Sequence, residues 1–421
     1  MTSSASWGSW LLPSKPAHDL DNIIEQLSSR FVPLERVQSL EDEMQRLRTE
    51  NLRLSEAVAK LGGDDGHLAA PATARVDQEP SPAERTAWVS ALARKFSVST
   101  RELEGRAELD LAGQSDGLTT VELHRLAWLL RDGVIRATRL SLDGSVEMGI
   151  GWLPIDELRG SVPADAIDLS ERLLGLKSAV VIARCMGASA TLRGLDLSRN
   201  GLGDGGAEYI AKALATNSTL TSLRIGSNNL CDDAAAAIAE ALEGNATLTA
   251  LDMSDNERDG LGDGRAIALA AVLPGTALTD LDLGKSALGD DAAAVLAGAL
   301  RHTKVARLAL DRNKLGAKGC AALAAVLTDT TLEELNLGNN RTIGPKGCAA
   351  LAGALRFAPL TSLDISWCRV GVEGATALAT AMKEGSRLRH VNLQRNNVPA
   401  GWLKTNQAML QAVESGVDIK L

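Results

Sequence analysis

One phrase is restated along most of this chain. Leu192 to Thr219 reads LRGLDLSRNGLGDGGAEYIAKALATNST, and Leu220 begins a close copy. The common pattern is L-x-x-L-x-L-x-x-N-x-L-G, followed by a helical half that ends in A-x-A-L. The middle apolar residue of each L-x-L pair falls at Leu195, Leu223, Leu251, Leu281, Leu308, Leu335, Leu363 and Val391, in steps of 28, 28, 30, 27, 27, 28 and 28. The same register runs back through Ile167, Leu140 and Leu109 and forward to Ile419, so strands are expected at twelve places between Leu109 and Leu421. Only a stack of like units satisfies such a period, because one unit cannot bury its own apolar face.

Each half of the unit has a physical reason. In "LDL" two leucines flank an outward residue, the alternation of a strand with one buried face. In "GDGGAEYIAKAL", Asp204 is expected to cap a helix whose apolar face is Ile210, Ala211 and Leu214, and Asp232, Asp263 and Asp290 recur near the same place. Asn200, Asn228, Asn256, Asn313, Asn340 and Asn396 hold one register position, with Ser286 and Cys368 as substitutes. A buried amide there is expected to hydrogen-bond the turn leaving each strand. That is a structural role, repeated with the period of the chain.

The length of 27–30 residues, the L-x-x-L-x-L-x-x-N/C signature and the following full helix resemble leucine-rich repeats of the ribonuclease-inhibitor-like subfamily. The resemblance covers about Leu103 to Leu421 and implies an α/β horseshoe solenoid, with a parallel sheet on the concave face and helices outside. "WLPIDELRG", Trp152 to Gly160, departs from the pattern, and a Pro- and Gly-bearing loop is expected in place of its helical half.

The first eighty residues change period. Residues 1–32 read as a mostly disordered tail with a short amphipathic helix on Leu20, Ile23, Ile24, Leu27 and Phe31. Residues 33–61 read as a coiled-coil helix, with Val37, Leu40, Met44, Leu47, Asn51, Leu54, Val58 and Leu61 at the a and d positions. Asn51 at an a position favours a parallel, in-register homodimer, and Arg36 and Glu43 would face Glu41 and Arg48 of a partner helix. Residues 62–84 read as a flexible linker and 85–108 as an N-terminal cap in which Trp88, Leu92 and Phe96 face inward, ahead of repeats over 109–421.

Composition narrows the function. A formal charge of −9 argues against a general nucleic-acid or anionic-membrane binder. No run approaches the ~18 apolar residues of a membrane helix, and "MTSSASWGSWLLP" lacks the basic start of a signal peptide, so a cytoplasmic location is expected. The five cysteines form no C-x-x-C pair and signal neither a disulfide scaffold nor a zinc site. No phosphate-binding loop, H-E-x-x-H or G-x-S-x-G motif occurs, so no enzyme, cofactor or metal is expected.

Two candidate contact surfaces remain. Outward strand residues Asp168, Asp196, Asp252, Asp282 and Asp364 make an acidic stripe, interrupted by Arg224, Ala309 and Asn336, that would suit a basic partner. Toward the C-terminal repeats, Arg307, Arg312, Trp367, Arg389 and Arg395 fall at outward or strand-exit positions, and an Arg-rimmed Trp suits a binding hot spot. "VESGVDIKL" places a parallel strand at an open edge, to be covered by Trp402 and the last helix or by a partner.

The leading expectation is a non-enzymatic interaction scaffold that binds another protein on its repeats and pairs through the coiled coil, with cytoskeletal or axonemal assemblies among suitable settings. The alternative is a small-GTPase activator, since Ran GTPase-activating proteins use this repeat subclass; their acidic tail has no counterpart in the strand-forming "DIKL", and the zipper has none in them. Leu47→Pro, which breaks the helix at a d position, is expected to convert dimers to monomers in sedimentation equilibrium. An already monomeric wild type removes the zipper.

Overall fold

The computed structural model describes residues 79–421 apart from 113–116, 144–150, 257–261, 400 and 421, and no side chain at 403 or 404. The chain divides into two units, Met1–Arg75 and Val76–Leu421, and the second is the one described below. The amphipathic tail, the heptads of 33–61 and most of 62–84 lie outside the described residues.

Thirteen short strands punctuate the described residues of the second unit. β1 (Glu108–Asp110), β2 (Arg139–Ser141) and β3 (Trp152–Pro154) form one sheet. β4 (Ala166–Asp168), β5 (Gly194–Asp196), β6 (Ser222–Arg224), β7 (Ala250–Asp252) and β8 (Asp280–Asp282) begin a second sheet. β9 (Arg307–Ala309), β10 (Glu334–Asn336), β11 (Ser362–Asp364), β12 (His390–Asn392) and β13 (Asp418–Lys420) complete its ten strands, which run in chain order and in parallel. Every strand expected from the period is present. Their central residues pair in register, Leu195 with Leu223 and Leu363 with Val391 among them.

The sheet is broken at the irregular segment. Trp152–Pro154 is a strand rather than a loop, antiparallel to β2 with Leu153 opposite Leu140, and a one-turn helix, Ile155–Leu158, follows. Parallel neighbours need a crossover that carries the chain back, usually a full helix. The single turn between β3 and β4 does not provide it, and β4 starts a new sheet.

Elsewhere the crossover is a helix of 8–14 residues, as in Ala317–Ala324 and Gly203–Thr216. The strand leucines and the inward helix faces share one continuous core, in which Leu195, Leu197, Ile210 and Leu214 are all buried. Small residues let neighbouring helices close up. A Cβ added at Gly374 would stand 2.6 Å from Val370 Cγ1 and 3.0 Å from Cys348 Cβ. The 30-residue repeat breaks this habit with Arg265, which is 1% exposed and donates to the carbonyls of Leu230 (3.0 Å) and Asn256 (2.9 Å). Cys320, Cys348 and Cys368 are also buried, and burial pushes the Cys320 and Cys368 thiols up to about 12.

Helix Pro82–Lys95 starts before Arg85, inside the stretch read as linker, because Ser81 and Glu84 form a capping box. It buries Val89, Leu92, Ala93 and Phe96, while Trp88 is half-buried with Arg125 5.5 Å from its ring centre. The aspartates of the helix starts behave differently from expectation. Asp204 does not cap its own helix; its carboxylate accepts from the Cys231 amide at the head of the next one, at 2.7 Å. Asp290 likewise accepts from Gly316 and Gly319, at 2.7 and 2.8 Å, and Asp263 from Gly289 at 2.9 Å. Gly289 and Gly316 have no side chain to cap with, so the carboxylate one repeat earlier fills the role.

The asparagine position works as its spacing suggests. Asn228 is fully buried, and its Nδ2 donates to the carbonyls of Leu197 (2.8 Å), Ile225 (3.1 Å) and Gly226 (3.1 Å). Its Oδ1 accepts from Leu202 N at 3.3 Å in the preceding repeat. Asn200, Asn256, Asn313, Asn340 and Asn396 repeat the arrangement. Asn217 and Asn245 do similar work beneath the helices, each accepting from the Leu amide three residues on. Asn228→Ala strands several buried polar groups at once and is expected to destabilise the solenoid by about 2–4 kcal/mol. A loss below about 1 kcal/mol in urea unfolding would make the ladder incidental.

Candidate interaction surface

The outward aspartates of the strands are already committed on one oxygen. Asp196 Oδ1 accepts from both the amide (2.9 Å) and the hydroxyl (2.6 Å) of Ser198, and Asp168, Asp252 and Asp364 do the same with Ser170, Ser254 and Ser366. Asp282 accepts from Gly284 N and Asn336 from Gly338 N, at 2.8 and 3.0 Å. The row therefore shapes the turn after each strand. Part of its remaining charge is met within the chain, by Arg224 3.5 Å from Asp196 and by Asn392 Nδ2 2.7 Å from Asp364. Asp282 is the exception. Burial, with Asp252 and Asp311 nearby, pushes its carboxyl up to about 6.

A second row stands beside it, at the C-terminal ends of the strands. The residue before the asparagine position adopts a left-handed backbone in nine consecutive repeats: Glu171, Arg199, Ser227, Asp255, Lys285, Arg312, Asn339, Trp367 and Arg395, with φ from 50° to 60°. None is glycine. Left-handed φ costs an ordinary residue roughly 1 kcal/mol, and a buried Asn of the next repeat holds the turn in place, as Asn396 Oδ1 does by accepting from Cys368 N at 2.8 Å. The residue two further on is Lys314, Arg341, Arg369 or Asn397 in the last of these repeats. Two exposed rows thus flank the buried Asn ladder.

Charge is handled differently along this rim. In its first half the side chains pair with each other: Arg199 with Glu171, Ser227 Oγ with Asp255 at 2.9 Å, and Lys285 with Asp255 at 2.5 Å. In its second half Arg341, Arg369 and Arg395 make no ion pair among the described residues, and Arg312 has only Asp311 at 3.9 Å. The guanidinium groups of Arg395 and Arg341 lie 5.5 and 5.8 Å from the ring centre of Trp367, which is 47% exposed. Beside the ring is a shallow concavity of about 410 Å³, bounded by Arg312, Asn339, Arg341 and Trp367 over a floor of Asp311, Asn336, Gly338 and Asp364. Its floor is internally satisfied, since Asn336 Nδ2 donates to Asp311 at 3.0 Å and Asp364 accepts from Ser366 and Asn392.

The structure divides the basic set proposed from sequence. Arg312, Trp367 and Arg395 share this rim. Arg307 does not: it opens β9, next to Asp280 and Glu334, and pairs with Asp280. Arg389 precedes β12 at the same far end, where its amide donates to Thr361 O at 2.7 Å. A strand separates both from Trp367. Arg341 and Arg369 were missed, because strand alternation does not mark them. The only signal was position: two residues beyond a turn residue whose left-handed backbone turns the chain outward.

The leucine-rich-repeat family matches residues 188–211, 216–239, 244–257, 328–352 and 358–379. The described unit thus has the α/β fold of a leucine-rich-repeat solenoid, with a ten-stranded parallel sheet and alternating helices. Similar solved structures include the leucine-rich repeat-containing protein LegL7 from Legionella pneumophila, with 24% identity over 62% of this chain and 84% of that one and a TM-score of 0.44. Rad7, in its yeast complex with Elc1, has 14% identity over 90% and 84%, with a TM-score of 0.42. Leiomodin-1 actin-binding site 2 has 21% identity over 30% and 75%, with a TM-score of 0.28. No curated protein sequence matches the chain.

Among the described residues no helix is long and apolar enough to cross a membrane, and no group of side chains could hold a metal ion. The raised Asp282 carboxyl gives a test of the acidic row. A folded-state pKa above the ordinary value means stability falls as pH rises from about 4 through 6. Asp282→Asn keeps the acceptor for Gly284 N, as Asn336 does for Gly338. The variant should be more stable by on the order of 1 kcal/mol at about pH 7.5 and equal to wild type near about pH 4, in urea unfolding. Equal stability at both values would show that the row bears no strain.

Proposed function

We propose that the protein is a non-enzymatic interaction scaffold whose partner docks on the C-terminal half of the strand-exit rim, around Trp367. The observation that carries this is the contrast along one row: ion pairs close the rim over Glu171–Lys285, whereas Arg341, Arg369 and Arg395 have no carboxylate partner among the described residues, and Arg341 and Arg395 lie beside an exposed Trp. Exposed Trp and Arg are the residue types that dominate binding energy at protein interfaces. Left-handed turns held by buried amides present them in fixed order, so little is lost in immobilising the backbone on binding. Pairing of two copies through the 33–61 heptads, and a cytoplasmic site of action, belong to the same proposal. The small-GTPase activator alternative has no observation of its own in the rim.

Trp367→Ala with Arg395→Ala removes the ring and one guanidinium from an exposed surface. Capture of partners from native lysate, quantified by mass spectrometry, is expected to fall at least about tenfold, while the unfolding temperature stays within a degree or two of wild type. Equal capture by the double variant would move the contact away from the rim.

A further inference from the structure

The chemistry of the rim also specifies what docks there. We infer that it takes a short acidic segment of another protein, with one apolar side chain laid on Trp367 and carboxylates on either side meeting Arg312, Arg341, Arg369 and Arg395. This rests on the rim being the contact surface, and it adds the class of ligand.

Three observations lead to it. First, the cations are available. The same register position is neutralised from within the chain in the earlier repeats, by Glu171 and Asp255, yet Arg341, Arg369 and Arg395 have no carboxylate partner among the described residues. An unpaired guanidinium cluster on a chain of net charge −9 fits an anionic group from outside, and the planar fork of Arg matches a carboxylate. Second, the floor is not available. Asp311 and Asp364 are bonded to Asn336, Ser366 and Asn392, so a ligand is offered cations and a ring rather than open acids. Third, the dimensions are small. Four strands spaced about 4.8 Å apart span roughly 14 Å, the reach of about four extended residues at ~3.3 Å each. The concavity of about 410 Å³ beside Trp367 has room for one or two side chains.

The neighbouring surface argues against a long polyanion. A nucleic-acid strand following the rim toward the earlier repeats would meet Asp255, then Glu171, and beside them the Asp252 and Asp282 carboxylates. Charge complementarity therefore ends within a few repeats. A protein segment with a few carboxylates fits that extent, and a continuous phosphate backbone does not.

The test is a random peptide library of about twelve residues, displayed on phage and panned on the full chain and on an Arg341→Glu/Arg395→Glu variant whose unfolding temperature has been checked. The expected result is enrichment of peptides with net negative charge around one aromatic or aliphatic residue. A synthetic copy of the leading peptide should bind the variant at least tenfold more weakly and should weaken with added NaCl. Neutral or basic peptides that still depend on Arg341 and Arg395 would overturn the acidic class while leaving the rim as the contact surface. Enrichment indifferent to the two arginines, or no enrichment, would overturn both. A single-stranded oligonucleotide that binds as tightly as the leading peptide, and is lost in the same variant, would replace the peptide by a nucleic acid.

Discussion

The structure depends on one hydrogen-bonding group repeated in register: the buried carboxamide that follows six of the strands, with Ser286 and Cys368 in its place after two others. A backbone that leaves a strand and turns sharply into a loop would bury amides and carbonyls with no partner, each costing about 1–3 kcal/mol. Asn228 meets those of two repeats at once, reaching back to Leu197 O and Leu202 N and down to Ile225 O. A hydrocarbon there would satisfy none of them. Leucines supply the apolar area, but leucines alone would not hold adjacent turns in register.

That ladder is not the only bond that crosses between repeats. Asp204, Asp263 and Asp290 each cap the helix that follows their own, so these units are completed by a neighbour on the helical side as well. Stability in such a stack is a sum of unit and interface contributions, and here the interfaces carry directional bonds in addition to burial. The break at Trp152–Pro154 shows the rule from the other side. There β3 closes the first sheet as an antiparallel strand, and after a single helical turn β4 starts the second sheet.

A held backbone leaves the adjoining side chains free to differ. The residues flanking each buried Asn share a conformation and little else: Glu, Arg, Ser, Asp, Lys, Asn and Trp all occupy one left-handed position. In the earlier repeats this variety closes on itself in ion pairs. In the later ones it leaves arginines around a ring. The concave aspartates, which look like a recognition stripe in the linear pattern, spend an oxygen each on the turn beside them.

The period of 27–30 residues, the strand positions and the role of the asparagines were determined by the sequence alone, because each follows from a spacing rule that acts locally and repeats. The strand at Trp152–Pro154, the destination of the Asp204 carboxylate and the burial of Arg265 were decided only in the tertiary structure, since each depends on what a neighbouring repeat places alongside. The same holds for the rim. The positions of Arg312, Trp367 and Arg395 could be read from strand exits, but only the structure places Arg307 at the other end of its strand, paired with Asp280, and Arg341 and Arg369 beside the turn. Alternation along a strand tells which side chains point outward; it does not tell at which end of the strand they gather, or which of them have already found a partner.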